Sequence, residues 1–218
     1  MKILSYSQLS KTVIRYDFEN KLYVKTSYNE EGIQNIINEY DGFKWYLSKK
    51  QKSEYYGLES LKLSFKEGFT KIEIPEIKGF KVPVERGIYK NEIFILRAIN
   101  EYLKISKQNN FDFRFHGDFS IGNLIFSKSD VFIIDWEHSN DKVKIWGIDI
   151  LNIFFEALYF SFKNQNSFGG KNLKSAKKIY KYITTVFSES KNKIISINEL
   201  IKIYKENRDL WGSSFSKL

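Results

Sequence analysis

His116-Gly117-Asp118-Phe119-Ser120-Ile121-Gly122-Asn123, followed by Ile133-Ile134-Asp135-Trp136-Glu137, is the stretch that decides how this chain is read. Asp118 and Asn123 are separated by four residues, and the apolar run at 131–134 then delivers a second aspartate, Asp135. Such a set suits the transfer of a phosphoryl group. That chemistry needs one carboxylate beside the acceptor hydroxyl, and a carboxylate plus an amide oxygen to hold Mg²⁺ on nucleotide phosphates. Asp118 fits the first role, as general base or as the group that orients the hydroxyl. Asn123 and Asp135 fit the second, as the metal pair. Each residue alone reads more simply, as a loop or turn residue bonded to nearby backbone. Their order and spacing together favour catalysis.

The spacing is that of the kinase catalytic loop, H-R-D-x-x-x-x-N, with Gly117 standing where that pattern carries Arg. H-G-D-x-x-x-x-N, then I-D-W-E, then Asp149-Ile150, resembles the aminoglycoside phosphotransferase and choline kinase family of small-molecule kinases. The likeness is good over the second half of the chain and thinner over the first. It implies an α+β, protein-kinase-like two-lobe fold. A small antiparallel-sheet lobe with one helix would span residues 1–79, including the hinge, and a mainly helical lobe residues 80–218. It also implies ATP (or GTP) and Mg²⁺ as cofactors, with His116 holding the catalytic loop and Asp149 bracing it through backbone hydrogen bonds. Asp149 equally suits a helix N-cap before Ile150-Leu151. Trp136-Glu137 replaces the Phe-Gly of protein kinases, which argues for a constitutively formed site rather than a regulated Phe flip.

A chain of 218 residues fits one large domain or two small lobes with a sizeable core. Cysteine is absent, which excludes disulfides, a thiolate nucleophile and Cys-ligated metal. His138 is the only histidine besides His116, so a His-rich metal site is excluded too. The start, Met1-Lys2-Ile3-Leu4-Ser5-Tyr6, lacks the apolar core of a signal peptide, and a cytoplasmic protein is expected. The most apolar segment, 148–162, is interrupted by Asp149, Asn152 and Glu156. It is also short of the roughly 20 residues that a membrane span needs, and reads as a buried helix. The net charge of +9 is either a solvated lysine surface or an attraction to an anionic partner. Its lysines form no dense tract, so no nucleic-acid partner is expected, while peripheral membrane contact stays open.

Upstream, β-prone runs at 12–18 and 22–26 flank a polar turn and predict a hairpin. Ile33, Ile36, Ile37, Tyr40, Phe43 and Leu47 recur at helical spacing. Strands are expected at 58–65 and 69–74. Lys25 ends the run Leu22-Tyr23-Val24-Lys25, as in V-A-I-K, and is expected to reach the α/β-phosphates, with Glu39 on the following helix as its ion-pair partner. Lys21 competes for the first role, and Glu30 or Glu31 for the second. Ile72-Glu73-Ile74-Pro75-Glu76-Ile77-Lys78-Gly79 reads as the hinge, with adenine bonded to backbone groups somewhere in Glu73 to Ile77 (Glu73, Pro75 and Ile77); an ordinary strand–turn junction fits the same residues. No glycine precedes Gly32, so a phosphate-covering G-x-G-x-x-G loop is missing. Ser5-Tyr6-Ser7-Gln8-Leu9-Ser10 stands in its place. Either its hydroxyl and N–H groups bond the phosphates, or nucleotide binding is weak.

Downstream, helices are expected at 91–106, 148–163, 174–188 and 197–205. Residues 111–115 lead into the catalytic loop, and short strands at 124–126 and 131–134 follow it. The expected function is transfer of the γ-phosphoryl group of a nucleotide to a hydroxyl of a small molecule. Lys163, Lys171, Lys174, Lys177, Lys178 and Lys181 disfavour a polycationic acceptor and favour a sugar or cell-envelope glycan precursor. An aminoglycoside or choline-like amino-alcohol kinase is the alternative. A catalytically inactive kinase-like binding module is the other, favoured by the missing glycines and opposed by the intact Asp118, Asn123 and Asp135.

Overall fold

The β-prone runs before residue 30 pair with one another and with a second hairpin. The computed structural model describes residues 1–8, 10–50, 60–108, 114–140, 146–163, 169–189 and 197–206. Five strands, β1 (Lys2–Ser7), β2 (Thr12–Asp17), β3 (Leu22–Ser27), β4 (Lys62–Lys66) and β5 (Phe69–Pro75), form one antiparallel sheet in the order β1-β2-β3-β5-β4. The β2–β3 turn is closed by Asp17, whose Oδ1 accepts from the Glu19 and Asn20 N–H groups. β4 begins later than the expected strand; residues 58, 59 and 111–113 lie outside the described set. β1 was not expected. Ile3, Leu4 and Tyr6 are all exposed, so the edge strand shows no buried face from which alternation could be read.

Helix α1 (Glu30–Lys49) starts where Asn29 caps it, the side-chain oxygen accepting from the Gly32 N–H at 3.1 Å. Its inner face, with Ile36, Glu39, Phe43 and Tyr46, is buried. Gly42 permits a close approach: a Cβ there would lie 2.7 Å from the Trp136 Cβ and 2.5 Å from the Ser139 Oγ. At the helix end the Tyr46 hydroxyl donates to the Val131 carbonyl and accepts from the Ile133 N–H, both at 3.2 Å. Lys50 also bonds the Val131 carbonyl, at 2.8 Å, and Glu101 at 2.6 Å.

The remainder is mainly helical. α2 (Gly87–Gln108), α3 (Ile148–Lys163), α4 (Gly170–Glu189) and α5 (Ile197–Glu206) accompany a small antiparallel pair, β6 (Leu124–Phe126) and β7 (Val131–Ile133). α2 begins before the expected Asn91, and its Ile88, Ile95, Ala98, Ile99 and Tyr102 are buried in one core with Ile148, Leu151, Ile179 and Ile183. Just past Gly79 the chain joins this half: Phe80 exchanges two 2.9 Å backbone hydrogen bonds with Phe126. The class is α+β, with antiparallel sheet first and helices after. Among the described residues no helix is long and apolar enough to cross a membrane.

Candidate active site

The catalytic-type loop is held from beneath by one face of α3. Asp149, Asn152 and Glu156 lie at i, i+3 and i+7, which puts them on one helical stripe. Asp149 Oδ2 accepts from the His116 N–H at 3.1 Å and Oδ1 from the Gly117 N–H at 3.3 Å. Asn152 Nδ2 donates to the Phe119 carbonyl at 3.4 Å, and Glu156 Oε2 accepts from the Ile121 N–H at 3.2 Å. Burial pushes Asp149 up to about 7 and Glu156 up to about 8, with the Asp118 charge adding to both.

His116 is fully buried, its ring 4.5 Å from that of Trp136. Its Nδ1 accepts from the Asp118 N–H at 3.2 Å, which assigns the proton to Nε2, 2.9 Å from the Ile134 carbonyl. Burial lowers its pKa to about 4, so the ring is neutral at ordinary pH and braces two segments. Gly117 has φ +84, and a Cβ there would lie 2.6 Å from the His138 carbonyl oxygen. The position where the kinase pattern carries Arg therefore has no room for a side chain.

Asn123 Nδ2 donates to both the carbonyl (3.0 Å) and the Oδ2 (2.9 Å) of Asp118. The Asn123 carbonyl accepts from the Ile134 N–H at 3.0 Å, which brings the loop against the end of β7 and sets Asn123 beside Asp135. Asp135 has φ +65 and ψ 58, a left-handed conformation uncommon outside glycine and concentrated at functional sites. Burial raises the Asp118 pKa; Asp135 and Glu137 add to this, while His138 and the Asn123 bond oppose it.

Lys25, from β3, meets three carboxylates: Glu39 Oε2 at 2.8 Å, Asp135 Oδ1 at 2.5 Å and Glu137 Oε2 at 3.8 Å. Burial opposes its charge, but the three acids outweigh burial and raise its pKa. Glu39 is pushed up to about 7 by burial against the pull of Lys25. Asp135 is also penalised by burial, yet Lys25 lowers its pKa. The competitors Lys21, Glu30 and Glu31 are exposed. Carboxylate oxygens of Glu39, Asp135 and Glu137 lie within 4.8 Å of one another. The Asn123 side chain makes both of its hydrogen bonds through Nδ2, which leaves its Oδ1 available as a further oxygen. Such a donor set of hard oxygens fits Mg²⁺, which takes a few protein ligands and keeps water on the rest.

These charges border a cavity of about 260 Å³. Ile14, Tyr23 and Ile74 line it from the sheet, Ile125 and Ile134 from around the β6–β7 pair, and Pro75 and Ile77 from the end of β5 and just past it. Lys25, Glu39, Asp135 and Lys81 supply charged groups, and Leu4 and Ser5 border it from β1. Glu73 does not. Ile72 and Ile74 share one face of β5, so Glu73 takes the opposite face, where its carboxylate bonds Lys71 at 2.6 Å. Of the expected adenine-side residues, Pro75 and Ile77 reach the cavity and the Glu73 side chain stands apart. Asn152, Glu156, Glu137 and Lys81 were not singled out from sequence. The α3 stripe had a signal, three polar residues at helical spacing in an apolar run; Lys81 had none.

No family model matches this chain, and no curated protein sequence matches it.

Proposed function

We propose that this protein is a small-molecule kinase of protein-kinase-like architecture, with residues 1–79 as nucleotide lobe and hinge and residues 80–218 as the lobe carrying the catalytic loop. The observation that carries this is the convergence on one apolar cavity of Lys25, Glu39 and Asp135, with the hydrogen-bonded pair Asp118–Asn123 beside Asp135. ATP (or GTP) enters with its base against Pro75 and Ile77 and its phosphates towards Lys25. Asp135 and Asn123 would hold Mg²⁺, with the Glu137 carboxylate close to that of Asp135, and the ion would supply neutralisation of phosphate charge.

The acceptor hydroxyl gives its proton to Asp118 as its oxygen bonds to the γ-phosphorus. The bond from that phosphorus to the bridging oxygen breaks, and the nucleoside diphosphate leaves. A carboxylate whose pKa is raised by burial is a better base than an exposed one. Exposed Lys163, Lys171, Lys174, Lys177 and Lys181 support a neutral or anionic acceptor, such as a sugar or cell-envelope glycan precursor, over an aminoglycoside or amino alcohol. The setting proposed is cytoplasmic, without nucleic acid.

One observation favours a second reading, a kinase-like module that does not turn over: Asp135 is occupied by Lys25 at 2.5 Å. Incubation with γ-labelled ATP, Mg²⁺ and panels of sugars, glycan precursors, amino alcohols and aminoglycosides separates the two. Label transfer that disappears in Asp118→Asn supports the kinase. Nucleotide binding without transfer to any panel, and without slow ATP hydrolysis, supports the module.

A further inference from the structure

We infer that Lys81 is the cation that receives the nucleotide's phosphate chain, in place of the missing glycine-rich loop; this rests on the nucleotide reading above. Among the described residues lining the cavity, only Lys25 and Lys81 are cationic. Lys25 is already enclosed by Glu39, Asp135 and Glu137. Lys81 makes no ion pair or side-chain hydrogen bond among the described residues. It nevertheless feels both Asp135 and Lys25, which places it at the charged end of the cavity, and partial burial lowers its pKa. Lys81 is exposed and held by no ion pair, so its ammonium is free to meet an arriving phosphate in a charge-assisted hydrogen bond.

Its backbone is well anchored for this task. Phe80, the preceding residue, is bonded on both sides to Phe126, and the following Val82 is buried. The sheet offers little instead. β1 pairs with β2 on either side of an irregularity at Leu4, and Leu4 and Ser5, its two residues at the cavity, bring no charge. Phosphate recognition thus draws on the segment that follows the hinge.

Calorimetric titration of adenosine, ADP and ATP in Mg²⁺ at fixed salt, on wild type, Lys81→Gln and Lys81→Arg, tests this. Lys81 is exposed enough for substitution without loss of the fold, which a melting curve checks. Lys81→Gln is expected to weaken ADP and ATP roughly tenfold, the scale of one charge-assisted hydrogen bond. Adenosine should change less than about twofold on the same scale, and Lys81→Arg should recover most of the loss. If wild type binds ATP and Lys81→Gln binds it equally well, the role of Lys81 falls and the nucleotide reading stands. An equal loss for adenosine overturns the phosphate role as well. If wild type binds neither adenosine nor ATP, both fall together.

Discussion

At the scale of single residues, the polar atoms divide into those that would face the proposed reaction and those that hold them. Asp118 belongs to the first group. Asp118→Asn keeps the size and the Asn123 neighbour but removes the base; transfer is expected to drop roughly 10²- to 10⁴-fold while MgATP binding persists. A rate within threefold of wild type in a steady-state assay would remove Asp118 from the mechanism. Glu156 belongs to the second group and sets a pH dependence. Its folded pKa, about 8, lies above the ordinary value of 4.5, so the native state keeps a proton that the unfolded chain releases. Stability from this group is complete below about 4.5 and is lost as pH rises through 8. His116 works the other way, but only between its folded pKa of about 4 and its usual 6.5. Between pH 6.5 and 8 the carboxyl trend therefore stands alone: wild type should lose stability, and Glu156→Gln should flatten the slope in urea melts. Asp118, Asn123 and Asp135 were legible in the sequence because one short segment carries them in a chemically constrained order. Glu156 and Lys81 were not, because their meaning depends on what the fold brings opposite them.

At the scale of elements, α3 is a clamp as well as a core helix. Truncating Asp149 to Ala strands two buried N–H donors, each worth about 1–3 kcal/mol when left without an acceptor. Asp149→Ala should therefore destabilise by about 2–6 kcal/mol on that scale, and Asn152→Ala by less, in denaturant titrations; a wild-type midpoint for Asp149→Ala would show that the loop does not depend on α3. Helix α1 carries a second constraint. Gly42→Val puts a branched side chain into space already held by Trp136 and Ser139, and is expected to lower both Tm and nucleotide affinity by moving Glu39 with the helix. α1 announced itself by 3.6-residue periodicity and α3 by a long apolar run. β1 did not, since an edge strand with every side chain exposed has no face to mark. Strand parity turns the Glu73 side chain away from the cavity that Ile74 lines, which leaves only its backbone groups for the expected adenine contact.

For the molecule as a whole, the cavity joins the sheet, α1, the segment just past β5 and the β6–β7 region, with Lys25 and Asp135 meeting across 110 positions of sequence. The α+β order, sheet first and helices after, followed from patterning; the closeness of the charged groups did not, since it arises from packing between segments distant in the chain. The central claim is a metal-dependent nucleotide site at that meeting point. It is tested most directly by thermal-shift titration with ATP and GTP, with and without Mg²⁺, on wild type and Asp135→Ala. A ligand at 100 times its Kd adds about 2.7 kcal/mol, or roughly 5–10 °C for a chain of this size. A shift of that order is expected with Mg²⁺, much reduced without it and absent in Asp135→Ala. No shift for wild type with either nucleotide at millimolar concentration would contradict it.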